Sequence, residues 1–242
     1  MRVALISDIH ANELGLRAVL ADIERVGADR IVCLGDVATL GPRPQAVIAI
    51  LRELGCPCIM GNHDEFLIEP DLVEHYSQQA PVRHSVNWCR EVLPAQDVDF
   101  IRGFGRSLRI ELTPSASLFL FHGSPKSHMD NVLATTPADE LDDLLEGHVA
   151  TLMAGGHTHV QMLRQHRGTL LVNPGSVGIP FKAFVDGGPP NILPHAEYAI
   201  VEAGTSGVSV NLRRIPLARA ALRREAAAVL MPMRDYLVNQ YS

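Results

Sequence analysis

Five short clusters of potential metal donors punctuate the 242-residue chain: Asp8-Ile9-His10, Gly35-Asp36, Gly61-Asn62-His63-Asp64, His122-Gly123 and Gly156-His157-Thr158-His159. A carboxylate offered beside an imidazole suits Mn, Fe, Zn, Co or Ni better than Mg alone. Asp8 and His10, like His157 and His159, are two residues apart, so an extended backbone would put each pair on one face. Singly these signals are weak. Asp-x-His arises often by chance, Asp36 fits a turn or a helix cap, and a histidine after an apolar run is commonly structural. Together they provide donors for two metal ions, the requirement of a two-metal hydrolytic centre.

For these donors to meet, the elements before them must end at a common rim. Residues 2–7 and 30–34 are apolar runs that predict strands, and 57–60 predicts a third. Between them, 12–26 carries apolar residues at helical spacing behind Asn12 as N-cap, and 44–54 is a helix opened by Pro44. This alternation predicts a parallel sheet covered on both faces. Ligands of such sheets bind at the carboxyl ends of the strands, which places Asp8, His10 and Asp36 on one rim. Further on, short helices are expected near 79–93 and an acidic helix over 138–146. A hairpin is expected from 107–112 and 117–121 around Thr113-Pro114-Ser115-Ala116. Strands are expected at 150–154, 160–165, 169–173, 197–202 and 207–213, and one last helix over 216–237. With no repeat and no linker, the expectation is a single domain, 1–242, with two stacked sheets.

Composition narrows the function classes. Hydrophobic residues make up 47% of the chain, enough for a sizeable core. A formal charge of −6 argues against long nucleic acid as a partner, while leaving room for a nucleotide or short oligonucleotide. No run of about 18 apolar residues predicts a membrane span, and Met1–Ile6 is too short for a signal-peptide core. Cys33, Cys56, Cys58 and Cys89 match no zinc-ribbon spacing and read as reduced thiols, so a cytoplasmic protein is expected. His75, His84, His128, His148, His166 and His195 lack a comparable setting and read as surface or loop residues.

The five blocks, in this order, resemble the calcineurin-like metallophosphoesterase superfamily, whose pattern is Asp-x-His, Gly-Asp, Gly-Asn-His-Asp/Glu, His and Gly-His-x-His. The match runs from Arg2 to about Ser176, and Val172-Asn173-Pro174-Gly175-Ser176-Val177-Gly178 resembles a small bacterial and archaeal phosphodiesterase branch. The resemblance implies an α/β fold, a four-layer α/β/β/α sandwich of two mixed sheets. It implies that Asp8, His10, Asp36 and His159 hold one metal ion, and that Asn62, His122 and His157 complete a second site, with Asp36 bridging. His63 would face substrate, with Asp64 orienting it. The cofactor implied is two divalent transition-metal ions, manganese first, with Fe, Zn, Ni or Co accepting the same donors. Such a pair would activate a hydroxide for attack on the phosphorus of a small phosphodiester, monoester or nucleotide. Two divalent ions, two aspartates and a hydroxide leave a charge of about +1 to attract a phosphate.

The chain departs from this pattern around the blocks. Leu40, before Gly41-Pro42, stands where relatives often carry an aromatic residue, and residues 180–188 (Pro180 to Gly188) lack the usual Pro-Arg-Asp-Gly type segment. Arg43, Lys126 and Lys182 are candidate substrate-binding cations, each with the alternative of a solvated surface charge. Two other functions stay open: a non-catalytic binding scaffold on the same fold, and a nuclease acting on short oligonucleotides.

Overall fold

The computed structural model describes residues 1–76, 80–185 and 187–242. Gln79, at the edge of the helical segment expected near 79–93, and Asp186 of the 180–188 loop lie outside the described residues. The chain opens with β1 (Arg2–Ile6), α1 (Glu13–Val26), β2 (Arg30–Cys33) and α2 (Pro44–Leu54). Asn12 caps α1 by accepting the Gly15 N–H, and Gly27, at φ 79°, ends it. Four helices follow: α3 (Asn62–Ile68), α4 (Leu72–Tyr76), α5 (Ala80–Val92) and α6 (Ala95–Arg102). Next come β3 (Leu108–Thr113), β4 (Ala116–Leu120), α7 (Ala138–Leu144), β5 (Leu152–Ala154), β6 (Met162–His166) and β7 (Thr169–Asn173). The chain closes with β8 (His195–Gly204), β9 (Gly207–Pro216), α8 (Arg219–Ala227) and α9 (Arg234–Gln240).

The strands form two mixed sheets, ordered β2-β1-β8-β9 and β3-β4-β5-β7-β6. In the first, β1 and β2 pair in parallel as the opening strand–helix–strand pattern predicts, while β8 pairs antiparallel with β1 and with β9, giving the mixed sheet expected. Side-chain alternation within the buried strands builds the layers. Along β1, Val3 and Leu5 point to the second sheet, where they meet Leu118, Leu120 and Leu152, while Ala4 and Ile6 point to the helices α1, α2 and α3. Along β4, Leu118 and Leu120 join the core between the sheets, and Phe119 packs outward with Leu141 of α7. Both faces of each central strand are therefore buried, which is why these strands read as continuous apolar runs. The result is the expected α/β/β/α sandwich.

Two element expectations fail. Residues 57–60 make only isolated bridges, Cys33 to Cys58 and Ile59 to Gly105, because Pro57 has no N–H to donate and the chain turns at Gly61 into α3. The last helix is two: α8 ends at Ala227 and α9 begins at Arg234, with Pro232 between them. These two helices fold back together, and Leu222, Met231 and Leu237 pack on Ile179, Leu40 and Phe181.

Candidate metal centre

The loops after β1 and β2 are laced together by their backbones. Asp8 N donates to Gly35 O (2.9 Å), His10 N to Asp36 O (3.0 Å) and Ala11 N to Val37 O (2.8 Å). The strand has ended by this point, and the donor pairs do not sit on extended chain: Asp8, His10 and Asp36 have φ of 52°, 44° and 57°, and His157 and His159 have 67° and 56°. Alternation along an extended strand is therefore not what pairs these donors, although each pair does enter one site. Glycine makes the close approach possible. A Cβ on Gly61 would lie 2.1 Å from Asp36 Oδ1, and one on Gly35 (φ 108°) would lie 2.6 Å from Gly61 N.

Two groups of side chains result. Asp8, His10, Asp36 and His159 bring ligand atoms within 4.8 Å of one another, as do Asp36, His122 and His157, and all are buried. Asp36 belongs to both. Its Oδ2 is 3.6 Å from His10 Nε2 and 3.5 Å from His122 Nε2. Asp8 Oδ1 is 3.3 Å from His159 Nε2. Asn62 joins the second group, with Oδ1 2.9 Å from His157 Nδ1 and 3.2 Å from His122 Nε2.

Hydrogen bonds behind the rings set which nitrogen faces inward. His122 Nδ1–H donates to Leu34 O (2.6 Å) and His159 Nδ1–H to Ile179 O (2.9 Å), leaving both Nε2 lone pairs for a cation. Thr39 Oγ1 lies 3.5 Å from His10 Nδ1 and 2.9 Å from His63 Nδ1. A relay in which His10 donates to Thr39 and Thr39 donates to His63 frees His10 Nε2 as a ligand and makes His63 Nε2–H a donor. His63 stands edge-on to His10, ring centroids 5.1 Å apart, and belongs to neither donor group.

The charges of the side chains divide the histidines. Burial holds His10 well below its ordinary range, and burial with the neighbouring His122 charge lowers His157 to about 3. Burial also lowers His63. His122 goes the other way: burial opposes its charge, but Asp36 and Asp8 outweigh burial and raise it to about 9. His159 is likewise raised, by Asp8 against burial. Burial would raise Asp36, yet His122, His63 and His10 hold it well below the usual carboxylate range. Positive charge is thus favoured at two places, beside Asp8–His159 and beside Asp36–His122, one in each donor group. Nitrogen and oxygen donors grouped in this way could hold divalent metal ions.

Asp64 does not orient His63. Its Oδ2 accepts Asp36 N (2.7 Å) and Gly61 N (3.0 Å), and its Oδ1 accepts Val37 N (2.9 Å), so it braces the Asp36 loop against the start of α3. The partner of His63 is Thr39. Nothing in the residue types marks that threonine. The Asn-His-Asp block is the first turn of α3. Of the candidate cations, Arg43 is paired with Glu225 of α8 (2.9 Å) and Lys126 with Asp143 (2.7 Å). Lys182 is exposed and is tied to Asn191 through its backbone. His128 and His166 are not surface residues: they lie 2.8 Å from carboxylates of Glu65 and Asp142, with side chains 12% and 5% exposed. A surface groove of about 590 Å³ lined by Leu67, Asn87, Arg90, Val98 and Arg102 contains none of the donor residues. No helix among the described residues is long and apolar enough to cross a membrane.

Comparison with known proteins agrees with this geometry. The chain is similar over its full length to the crystal structure of a metallophosphoesterase from Sphaerobacter thermophilus, at 26% identity, TM-score 0.73 and 98% coverage of that chain. A protein of Pyrococcus horikoshii OT3, PH1004, shares the fold with TM-score 0.82 at 18% identity, over 98% of this chain and 96% of that one. MJ0912 of Methanocaldococcus jannaschii, itself uncharacterised, is 28% identical over 193 residues, 74% of this chain and 76% of its own length. Residues 1–189 match the family model of the calcineurin-like phosphoesterase superfamily domain. With the five donor blocks gathered at the rim of a two-sheet sandwich, the chain belongs to the calcineurin-like phosphoesterase superfamily.

Proposed function

We propose that this protein is a metal-dependent phosphoesterase that hydrolyses phosphodiester, and also monoester, bonds of small phosphate esters or nucleotides. The observation that carries the reading is the placement of His63. It lies beside two donor groups that share Asp36, takes part in neither, and is held through Thr39 with its Nε2 available. Asp8, His10, Asp36 and His159 would hold one ion; Asp36, Asn62, His122 and His157 would hold the other. Bound there, two divalent ions supply Lewis acidity toward phosphoryl oxygens and a water activated at neutral pH. His63 Nε2–H donates to the oxygen on which negative charge grows as the ester bond breaks. Asp64 contributes by keeping Asp36 in place.

The side of entry follows from the C-terminal helices. Leu222, Ala226, Leu237 and Tyr241 close over His10, Gly41 and Gly178, leaving a void of about 20 Å³ there. Substrate therefore reaches the centre from the His63 and His157 side. Because β8 runs between β1 and β9, we take residues 190–242 as part of one domain, 1–242.

The test is a matrix of Mn, Fe, Zn, Ni and Co against monoesters, diesters, cyclic nucleotides and dinucleoside polyphosphates. Turnover should require added metal. His63→Ala should keep two metal ions per chain and lose about 10²–10⁴-fold in turnover of bis-p-nitrophenyl phosphate. Full turnover by that variant, or none by the parent with any metal, would overturn the reading.

A further inference from the structure

Asn62 and Tyr76 present two hydrogen-bond donors at the open side of the centre, and neither is used by the mechanism above. Asn62 is fully buried. Its Oδ1 faces His157 and His122, while its Nδ2 has no hydrogen-bond partner among the described residues. A buried amide N–H₂ without an acceptor is uncommon, because the group has given up water for nothing. Tyr76, the last residue of α4, stands over the same spot. Its ring centroid is 6.0 Å from that of His63, 6.0 Å from that of His157 and 5.4 Å from that of Phe66. It is also 40% exposed, the one aromatic side chain among the exposed large apolar residues described. Its phenol feels the site directly: burial, then Asp36 and Asp8, push its pKa up to about 12, with the Asn62 amide acting in the opposite sense.

The unpartnered Asn62 N–H₂ and the neighbouring Tyr76 phenol, beside the donor group of Asn62, His122 and His157, make a small anion-binding notch. We propose that Asn62 Nδ2–H and the Tyr76 hydroxyl together bind one non-bridging oxygen of the substrate's phosphoryl group, making Tyr76 a substrate-binding residue. This rests on the phosphoesterase reading and adds to it the group that holds the phosphate on the side away from His10.

The test compares Tyr76→Phe and Tyr76→Ala in the manganese-loaded full chain, with elemental analysis to verify metal content. Inorganic phosphate is titrated by calorimetry, and bis-p-nitrophenyl phosphate kinetics are measured in parallel. Tyr76→Phe keeps the ring and its packing, and should weaken phosphate binding about 10-fold, the order of a hydrogen bond to a charged acceptor. It should lower kcat/KM by a similar factor with metal content unchanged. Phosphate affinity equal to that of the parent in Tyr76→Phe would overturn the proposal. So would a loss confined to Tyr76→Ala, since the ring and not the hydroxyl would then be in use. A parent that binds phosphate through Tyr76 but turns over no ester would refute the phosphoesterase reading and leave the notch standing.

Discussion

Replacing Asp64 separates two roles that this carboxylate could have. It is fully buried and accepts three backbone N–H groups, from Asp36, Val37 and Gly61, at 2.7, 2.9 and 3.0 Å. Asp64→Ala strands all three, at about 1–3 kcal/mol each. Against that, the carboxyl is strained electrostatically, since burial and the nearby Asp36 push its pKa up to about 7, so its removal relieves a penalty. The hydrogen bonds outweigh the relief, and the net loss should be about 3–5 kcal/mol, a large part of the usual 5–15 kcal/mol of a folded domain. For a chain of this size that lowers the unfolding midpoint by about 6–20 °C. Asp64→Asn should cost less, about 1–3 kcal/mol, because its amide oxygen still serves Asp36 and Gly61 while its N–H₂ faces the Val37 N–H. Loosening the Asp36 loop should also weaken metal binding by about 10–100-fold, as losses of supporting hydrogen bonds commonly do. Urea unfolding of the metal-free variants and metal titration monitored by elemental analysis would measure both. If Asp64→Ala kept its stability and its metal while losing turnover, Asp64 would be acting through His63 and not by bracing the Asp36 loop.

Asp36→Asn should reduce occupancy at both donor groups, because Asp36 belongs to both; two full equivalents by elemental analysis would refute the bridging role. Thr39→Val should lower kcat by about 10-fold with little change in KM, and Thr39→Ser should restore it, since the hydroxyl holds His63 Nδ1 at 2.9 Å. An unaffected Thr39→Val would remove the relay. Away from the site, Asp22 accepts from Tyr198 and Arg213 at 2.6 and 2.7 Å. Burial would raise its pKa, but Arg213, Tyr198 and Arg25 hold it well below the ordinary value. Its stabilisation, about 1–3 kcal/mol, is therefore present above the unfolded carboxyl pKa of about 3.9 and is lost as pH falls below it. Asp22→Asn should flatten that part of the pH–stability curve, and an unchanged curve between pH 5 and about 2 would contradict the assignment.

The donor residues were legible because metal ligation demands particular atoms, and Asp, His and Asn carry them wherever the backbone goes. The strands were legible because burial on both faces leaves an unbroken apolar run, as in Val3 to Ile6. What sequence could not supply was the connectivity behind the ligands. Thr39 works through one hydroxyl placed by the Asp36 loop, and a lone threonine carries no pattern. Adjacency in sequence pairs Asp64 with His63, but helical geometry in α3 turns the two side chains apart and sends the carboxylate to backbone N–H groups 27 and 28 residues upstream. Tyr76 reaches the site from a five-residue helix with too few turns to show a period. The last helix expected over 216–237 divides at the segment that holds Pro232, since proline has no N–H for the helical ladder.

The backbone at the donor residues is the deepest of these hidden features. Nine non-glycine residues among those described have positive φ, and five of them are the proposed ligands Asp8, His10, Asp36, His157 and His159. A left-handed conformation costs an L-residue about 1–2 kcal/mol, so chance alone would scatter such residues and selection for stability would remove them. They persist because neighbouring segments dictate them: His10 N on Asp36 O, His157 N on the Asp8 carboxylate at 3.1 Å, and Phe181 N on His159 O. Strain held in this way at a cluster of donors preorganises the ligand atoms before any ion arrives. The consequence can be tested at His157, where φ is 67°. In the metal-free protein, His157→Gly and His157→Ala both remove the imidazole, yet glycine adopts that conformation freely and alanine does not. His157→Gly should therefore be the more stable of the two by about 1 kcal/mol, the reverse of the ordinary order. If alanine proves equal or better in urea unfolding, the loop relaxes when its ligand is removed, and the donor geometry is made by the ion and not by the fold.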